Sequence, residues 1–293
     1  KKDFYALADM VEIQLGQGAQ ASAPQTTKAD QIDEEFRHVF GLEKGEDAVI
    51  ASRLDGLESA ADLKHLVSRL KEETGGVPIS YKFAASHYLE DEIELAVQAG
   101  IDVIVIDGAE AGTHAGQPLL EDAFGLPTMH ALVRAADYLE EKGVRDQVSI
   151  IASGGLFSPE HFLKAMALGA DAVYIGTAAV MAMIHTQIVE SSPFEPPTQL
   201  ALYSGRLKDE LDIDLAVKSL TNYLNSCVAE MVLGVVAMGK EALTAVDKSD
   251  LCALTPAVAE ITGVELPYRR EEAAAFPFRE QPADIREEVL IPH

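Results

Sequence analysis

Short apolar runs alternate along residues 1–190 with segments whose apolar side chains recur every three or four positions. The runs MVEIQL (10–15), PISYKFA (78–84), DVIVID (102–107), QVSIIAS (147–153) and DAVYI (171–175) predict strands. Between the first two, ESAADLKHLVSRLKEE predicts an amphipathic helix, with Ser59 and Asp62 as a capping box and Leu63, Leu66, Val67 and Leu70 as one stripe. LEDEIELAVQAG predicts another, with Leu89, Ile93 and Val97 on one face and Gly100 as its stop. Its Glu90, Asp91, Glu92 and Glu94 read as a solvated face. TMHALVRAADYLEEKG (128–143) is a third helical pattern, ending at Gly143. Ser158 and Pro159 suit the N-cap and first position of a fourth, which reaches Leu168 and stops at Gly169. Helix resumes at about Thr177. Residues 16–58 read as polar and irregular, with QGAQASAPQTTKADQ as a long loop.

Strands alternating with helices predict parallel βαβ units. The apolar runs lack strict alternation, which predicts strands buried on both faces. A flavodoxin-like or Rossmann sheet would give the same pattern. A barrel is preferred because nearly every strand ends in Gly, Ser or a polar side chain, which puts functional residues at the C-terminal ends. The expected fold is therefore α/β, of the (βα)8 TIM-barrel type, with only the C-terminal five or so βα units present in residues 1–190. A Pro-rich connector, SSPFEPPTQLALYSG, opens a helical C-terminal extension over 191–293. That extension holds a long helical pattern over 208–238, carrying Leu215, Leu220, Leu224, Val228 and Val232. A short helix at TPAVAEITG and an extended end rich in Pro and charge follow.

The chain has 293 residues, 48% of them apolar, enough for a sizeable core. No run of 18 apolar residues occurs, so no membrane span is expected. KKDFYALADM carries no apolar secretory segment, and the missing initiator Met points to a piece of a longer chain. A net charge of −25 argues against nucleic acid or an anionic membrane as partner, since both call for basic patches. Cys227 and Cys252 are the two cysteines, without a CxxC or Cys/His cluster, so neither a zinc site nor an iron–sulfur cluster ligated by this chain is expected. A reducing, cytoplasmic setting fits that usage.

The candidate chemistry lies at strand ends. SGGL (153–156) and GT (176–177) follow consecutive strands, the arrangement by which barrels bind phosphate through backbone N–H groups and helix N-termini. Gly154, Gly155 and Gly176 permit close approach, and Ser153 and Thr177 add hydroxyls; ordinary turn glycines are the competing reading. Lys82 sits mid-strand in ISYKFA, where an ammonium among apolar neighbours needs a partner or an anion. The loop DGAEAGTHAGQ (107–117) gathers Asp107, Gly108, Glu110, Gly112, Thr113 and His114, more glycine than a bare turn needs. A lone histidine such as His114 is more often structural than catalytic. Gln17, in LGQGAQ, ends another strand, where an amide can meet a ring edge or simply face solvent.

In order, QGA, a strand with Lys82, DGAEAGT, SGGL and GADAVYIGTAAVM resemble the FMN-binding synthase domain of glutamate synthases, especially the short, single-domain forms, from about Met10 to Met183. The resemblance implies a (βα)8 barrel carrying FMN, with Ser153, Gly154, Gly155, Gly176 and Thr177 at its phosphate. It implies Lys82 near the flavin ring, and Gln17, Gly108, Glu110, Gly112 and Thr113 around flavin and substrate. Lys82, Gln17 and Glu110 become the candidate catalytic residues. The implied reaction reduces the imine of 2-oxoglutarate and ammonia to glutamate, with an electron donor left open and a homo-oligomer left open. The chain departs from the family at three points, one being that the first barrel strands and any glutaminase domain are expected outside these 293 residues. After GTAAVMAM it reads IHTQIVESSPFEPP in place of a cysteine-rich cluster segment, and a QGAKPGEGG-type loop reads QGAQASAPQ, with Gln20 where the family has Lys. From the residues alone, a phosphate-binding barrel lyase or isomerase using Lys82, or a non-catalytic flavin-binding or assembly remnant, stays open.

Overall fold

The computed structural model describes residues 5, 7–18, 25–50, 54, 56–113, 118–190, 196–202 and 205–268. Gln20, His114, the start of the Pro-rich connector and the extended C-terminal end lie outside the described residues. The strands are β1 (Val11–Gln14), β2 (Gln25–Thr27), β3 (Ala48–Ile50), β4 (Ile79–Ala84), β5 (Val103–Asp107), β6 (Ser149–Ser153) and β7 (Ala172–Tyr174). The helices are α1 (Glu34–Phe40), α2 (Ala60–Thr74), α3 (Leu89–Ala99), α4 (Pro118–Ala123), α5 (Thr128–Glu141), α6 (Pro159–Ala167), α7 (Thr177–Ile184), α8 (Ile213–Ala237) and α9 (Pro256–Thr262).

One five-stranded parallel sheet runs in the order β1-β4-β5-β6-β7. Each new strand is added at the same edge, so crossovers of the usual right hand put the helices on one side. A doubly wound sheet would reverse its order instead. The register sorts the side chains into two faces. Ile13, Ile79, Tyr81, Phe83, Ile104, Ile106, Ile150 and Ala152 pack with the helices in the main core. The opposite face carries Glu12 and Gln14, Ser80 and Lys82, Asp107, Ser153 and Tyr174 in successive cross-strand pairs. Strands buried on both faces were expected; this second face does hold buried Ala84, Val105 and Ile151, and its polar side chains gather where it walls a cavity. Tyr174 donates to Glu12 Oε2 across that face at 3.2 Å. On a flat sheet β1 and β7 would stand about 19 Å apart, four spacings of about 4.8 Å, too far for a Tyr and a Glu to meet. The sheet is therefore curled into a barrel-like arc, concave on its polar side.

The described part of residues 16–58 holds more secondary structure than its polarity predicts. β2 and β3 pair antiparallel outside the main sheet. Between them, α1 is capped by Asp33, whose carboxylate accepts from Phe36 N–H, and ended by Gly41 in the left-handed region. Strands of three residues are too short to show alternation, which is why this pair is silent in the sequence. α4 was likewise not foreseen. The acidic turn of α3 is not a solvated face. Glu90 pairs with Arg134 of α5, and Glu94 accepts from Tyr138 and pairs with Lys142. Glu92 holds a buried Oε2 without a hydrogen-bond partner, and burial pushes its carboxyl up to about 7. Ser158 does occupy the N-cap of α6 with extended backbone, but its hydroxyl makes no capping bond.

The C-terminal segment returns to the main core, where Ala253 and Val264 are buried beside the sheet helices. α8 starts at Ile213, capped by Asp212, later than the helical pattern suggested. Its buried stripe is Ala216, Ser219, Cys227, Met231 and Val235, while Leu215, Leu224, Val228 and Val232 are exposed. That buried stripe packs along α6 and α7. By length and composition alone α8 is apolar enough to cross a membrane, contrary to the expectation of no such segment.

Candidate functional site

A cavity of about 810 Å³ opens at the C-terminal ends of the parallel strands. Gln17, Lys82, Glu110, Gly112, Thr113, Ser153, Gly154, Gly155, Gly176 and Thr177 all line it, and Asp107 joins them. Gly108 does not. A Cβ there would stand 2.1 Å from Thr128 Oγ1, so its glycine is required by packing against the start of α5.

The pleat of β4 turns Lys82 onto the concave face, where its side chain is 12% exposed. Its ammonium lies 3.5 Å from Asp107 Oδ2 on the neighbouring strand, a carboxylate that is fully buried. Gly18 N–H donates to the same oxygen at 3.2 Å, and Asp107 Oδ1 has no hydrogen-bond partner. Burial raises the Asp107 carboxyl above its ordinary range, and the Ser153 hydroxyl, Lys82 and Gly18 act the other way. The Tyr174 ring lies 5.7 Å from the Lys82 ammonium, a cation–π distance. Burial first, then the Glu12 carboxylate, raises the Tyr174 hydroxyl.

The glycine loops interlock. Glu110 Oε2 accepts from Thr128 N–H at 2.8 Å and faces the Thr128 hydroxyl at 2.7 Å. Thr128 opens α5, whose N-cap Pro127 offers no side-chain acceptor, so Glu110 serves as the missing cap. A carboxylate expected to do chemistry is thus engaged in holding a helix start. The Thr128 hydroxyl also lies 3.0 Å from Gly154 O, which ties the loop after β6 to the loop after β5. Gly18 has φ +56° and packs its Cα against Gly112 backbone, where a Cβ would come within 2.5 Å. Gln17 Nε2 donates to Ala111 O at 3.3 Å.

After β7, Gly176 leads straight into α7, whose first turn has no side-chain cap. Thr177 and Ala178 both line the cavity there, with N–H groups that have no partner inside the helix. The first N–H groups and positive end of this helix face the left-handed Gly154 and Gly155 across the cavity, an arrangement that could hold an anion. Asp107 was named in its loop from the sequence, without its pairing to Lys82, whereas Tyr174 and Glu12 were not singled out. The signal was present in parity: in register, Glu12, Lys82, Asp107 and Tyr174 all fall on one face.

A curled parallel βα sheet with a polar concave face, one buried ammonium and two glycine loops at the C-terminal strand ends defines an α/β protein with a barrel-type ligand site. Residues 1–241 match the family model described as the conserved region in glutamate synthase, and the chain belongs to that family. A glutamate synthase large subunit-like protein of Rhizobium meliloti is 31% identical over 88% of this chain and 62% of its own length. An archaeal-type glutamate synthase [NADPH] of Dehalococcoides mccartyi is 35% identical over 62% of this chain and 37% of its own. The archaeal glutamate synthase [NADPH] of Archaeoglobus fulgidus is 31% identical over 82% of this chain and 47% of its own. The chain thus spans between about a third and two thirds of these relatives. Among solved structures, a mutant flavocytochrome b2 with pyruvate bound aligns over 93% of this chain and 54% of that chain, at 18% identity and a TM-score of 0.45.

Proposed function

We propose that this chain holds FMN within an oxidoreductase of the glutamate synthase type, which reduces the imine of 2-oxoglutarate and ammonia to glutamate using electrons from a separate donor. The observation that carries the reading is the convergence of Lys82, the Ser153–Gly155 loop and the Gly176–Thr177 helix start on one cavity. The residues fit the cofactor: a capless helix start for the phosphate, and at the strand wall an ammonium beside an unpartnered carboxylate oxygen for a polar ring edge. When bound, FMN supplies hydride.

The chain's own residues then have defined tasks. Backbone N–H groups of Thr177 and Ala178, with Gly154 and Gly155 opposite, bind the phosphate. Lys82, held by Asp107 and the Tyr174 ring, presents positive charge to an anionic ligand and stabilises negative charge as it develops. Its low exposure keeps water away and strengthens that effect. Gln17 and Glu110 brace the loops that form the rim.

The test is a titration of the 293-residue chain with FMN, followed by gel filtration and an absorbance spectrum. Flavin should co-elute with wild type, and Lys82→Met should weaken its retention. Absence of flavin from the protein peak refutes the reading. A Schiff base on Lys82 trapped by borohydride, without flavin, would assign the cavity to lyase chemistry instead.

A further inference from the structure

We propose that a second cavity, of about 450 Å³ between α5, α6 and the segment 251–264, binds a small amphipathic carboxylic acid. The inference does not depend on the flavin reading. Met129 and Leu132 of α5, Leu168 just after α6, and Leu254 and Val258 of the C-terminal segment give it apolar walls. The volume falls in the range that takes small organic ligands, about 300–1,000 Å³. Apolar walls alone would accept any hydrocarbon, so the polar groups decide the class.

Most of those groups already have partners. Glu110 and Thr128 bond each other, and Thr262 Oγ1 donates to Val258 O. What remains is on α6. His161 lines the cavity with a buried Nδ1 that has no hydrogen-bond partner. Lys164 lies one helical step further on and, among the described residues, has no carboxylate within ion-pair distance. The exposed Lys164 ammonium at the mouth of an apolar cavity complements an acid head group on an apolar tail. Gly154, Gly155 and Glu110 line this cavity as well as the larger one, so an occupant here bears on the anion loop from behind.

Cys252 supplies a local reporter. It lines the cavity and is exposed, whereas Cys227 is buried, so a thiol reagent under native conditions reads Cys252. Decanoate, below its micelle concentration, should slow Cys252 modification in a saturable way, and decanol should protect far less. Lys164 is exposed, so Lys164→Met should fold and leave the ligand-free rate unchanged. It should raise the half-protecting decanoate concentration about tenfold, the loss of one charge-assisted contact. Cys252→Ser should abolish the fast phase and so confirm the reporter. No protection by decanoate, equal protection by decanol, or protection indifferent to Lys164→Met overturns the proposal.

Discussion

Gly154 and Gly176 face the same cavity from two loops, yet the fold itself requires glycine only at the first. At Gly154 φ is +123°, and a Cβ would stand 2.4 Å from Thr128 Oγ1 and 3.0 Å from Ala111 N. Thr128 has little freedom to retreat, because its hydroxyl sits between Glu110 and Gly154 O and its N–H is bonded to Glu110. A side chain held in that backbone region costs about 1–3 kcal/mol, and pressing a methyl into filled space costs about 1–3 kcal/mol more. Gly154→Ala should therefore lose about 2–6 kcal/mol of stability. At Gly176 a Cβ would meet nothing within 4 Å, so Gly176→Ala should change stability by less than about 1 kcal/mol. Its methyl would project where the bound phosphate is proposed, and FMN affinity should fall about tenfold or more, the equivalent of about 1.4 kcal/mol. Urea unfolding followed by circular dichroism measures the first effect, and flavin fluorescence titration the second. Equal destabilisation by the two substitutions, or unchanged flavin affinity in Gly176→Ala, would refute this division of labour.

Glu92, raised by burial from 4.5 to about 7, binds its proton more tightly folded than unfolded, so its contribution is fully present below about pH 4.5 and is lost as pH rises through about 7. Full conversion would give about 3 kcal/mol, and solvent screening of a half-buried group reduces this to about 1–2 kcal/mol; Glu92→Gln should flatten that part of a stability-against-pH curve measured by urea unfolding. Glu110→Ala should cost about 1–2 kcal/mol through loss of the α5 cap, and Thr128→Val in the same background should add less than it does alone, as a double-mutant cycle in urea would read. Lys82→Met removes the partner of a buried carboxylate and should cost about 3 kcal/mol at neutral pH. Because burial already raises Asp107, part of that loss should be recovered as pH falls and Asp107 takes a proton, which thermal melts at two pH values would detect.

The main sheet was legible because its strands are apolar runs with polar ends, and the helices between them carry clear stripes and glycine stops. α3 ends at Gly100 in the left-handed region, as its sequence foretells. Legibility failed where partners from other elements decide. Nothing in LEDEIEL alone says that Arg134 and Tyr138, some 44 residues on, will claim Glu90 and Glu94. In α8 Leu215, Leu224, Val228 and Val232 suggested the buried stripe, but the face that packs on α6 and α7 carries Ala216, Ser219, Cys227, Met231 and Val235. The glycine loops of the site were readable as a set, whereas their roles were not. Gly108 and Gly176 look alike in sequence, and only the Thr128 backbone against one and open space beside the other tells them apart.

The wall of the cavity narrows the kind of ligand edge that fits it. The 3.5 Å separation of Lys82 and Asp107 is longer than the 2.7–2.9 Å typical of a tight charge-assisted bond. The ammonium is thus left with donors to give, while Asp107 Oδ1 is left as a buried acceptor without a donor. Leaving such an oxygen unmatched costs about 1–3 kcal/mol, a penalty that a ligand N–H would relieve on binding. A donor and an acceptor side by side in a dry wall match a ligand edge with a carbonyl next to an N–H. A simple carboxylate offers only acceptors and would meet Asp107 with repulsion. The imide edge of a flavin ring has the required pattern, which is the edge the FMN proposed for this cavity would present to the strand wall.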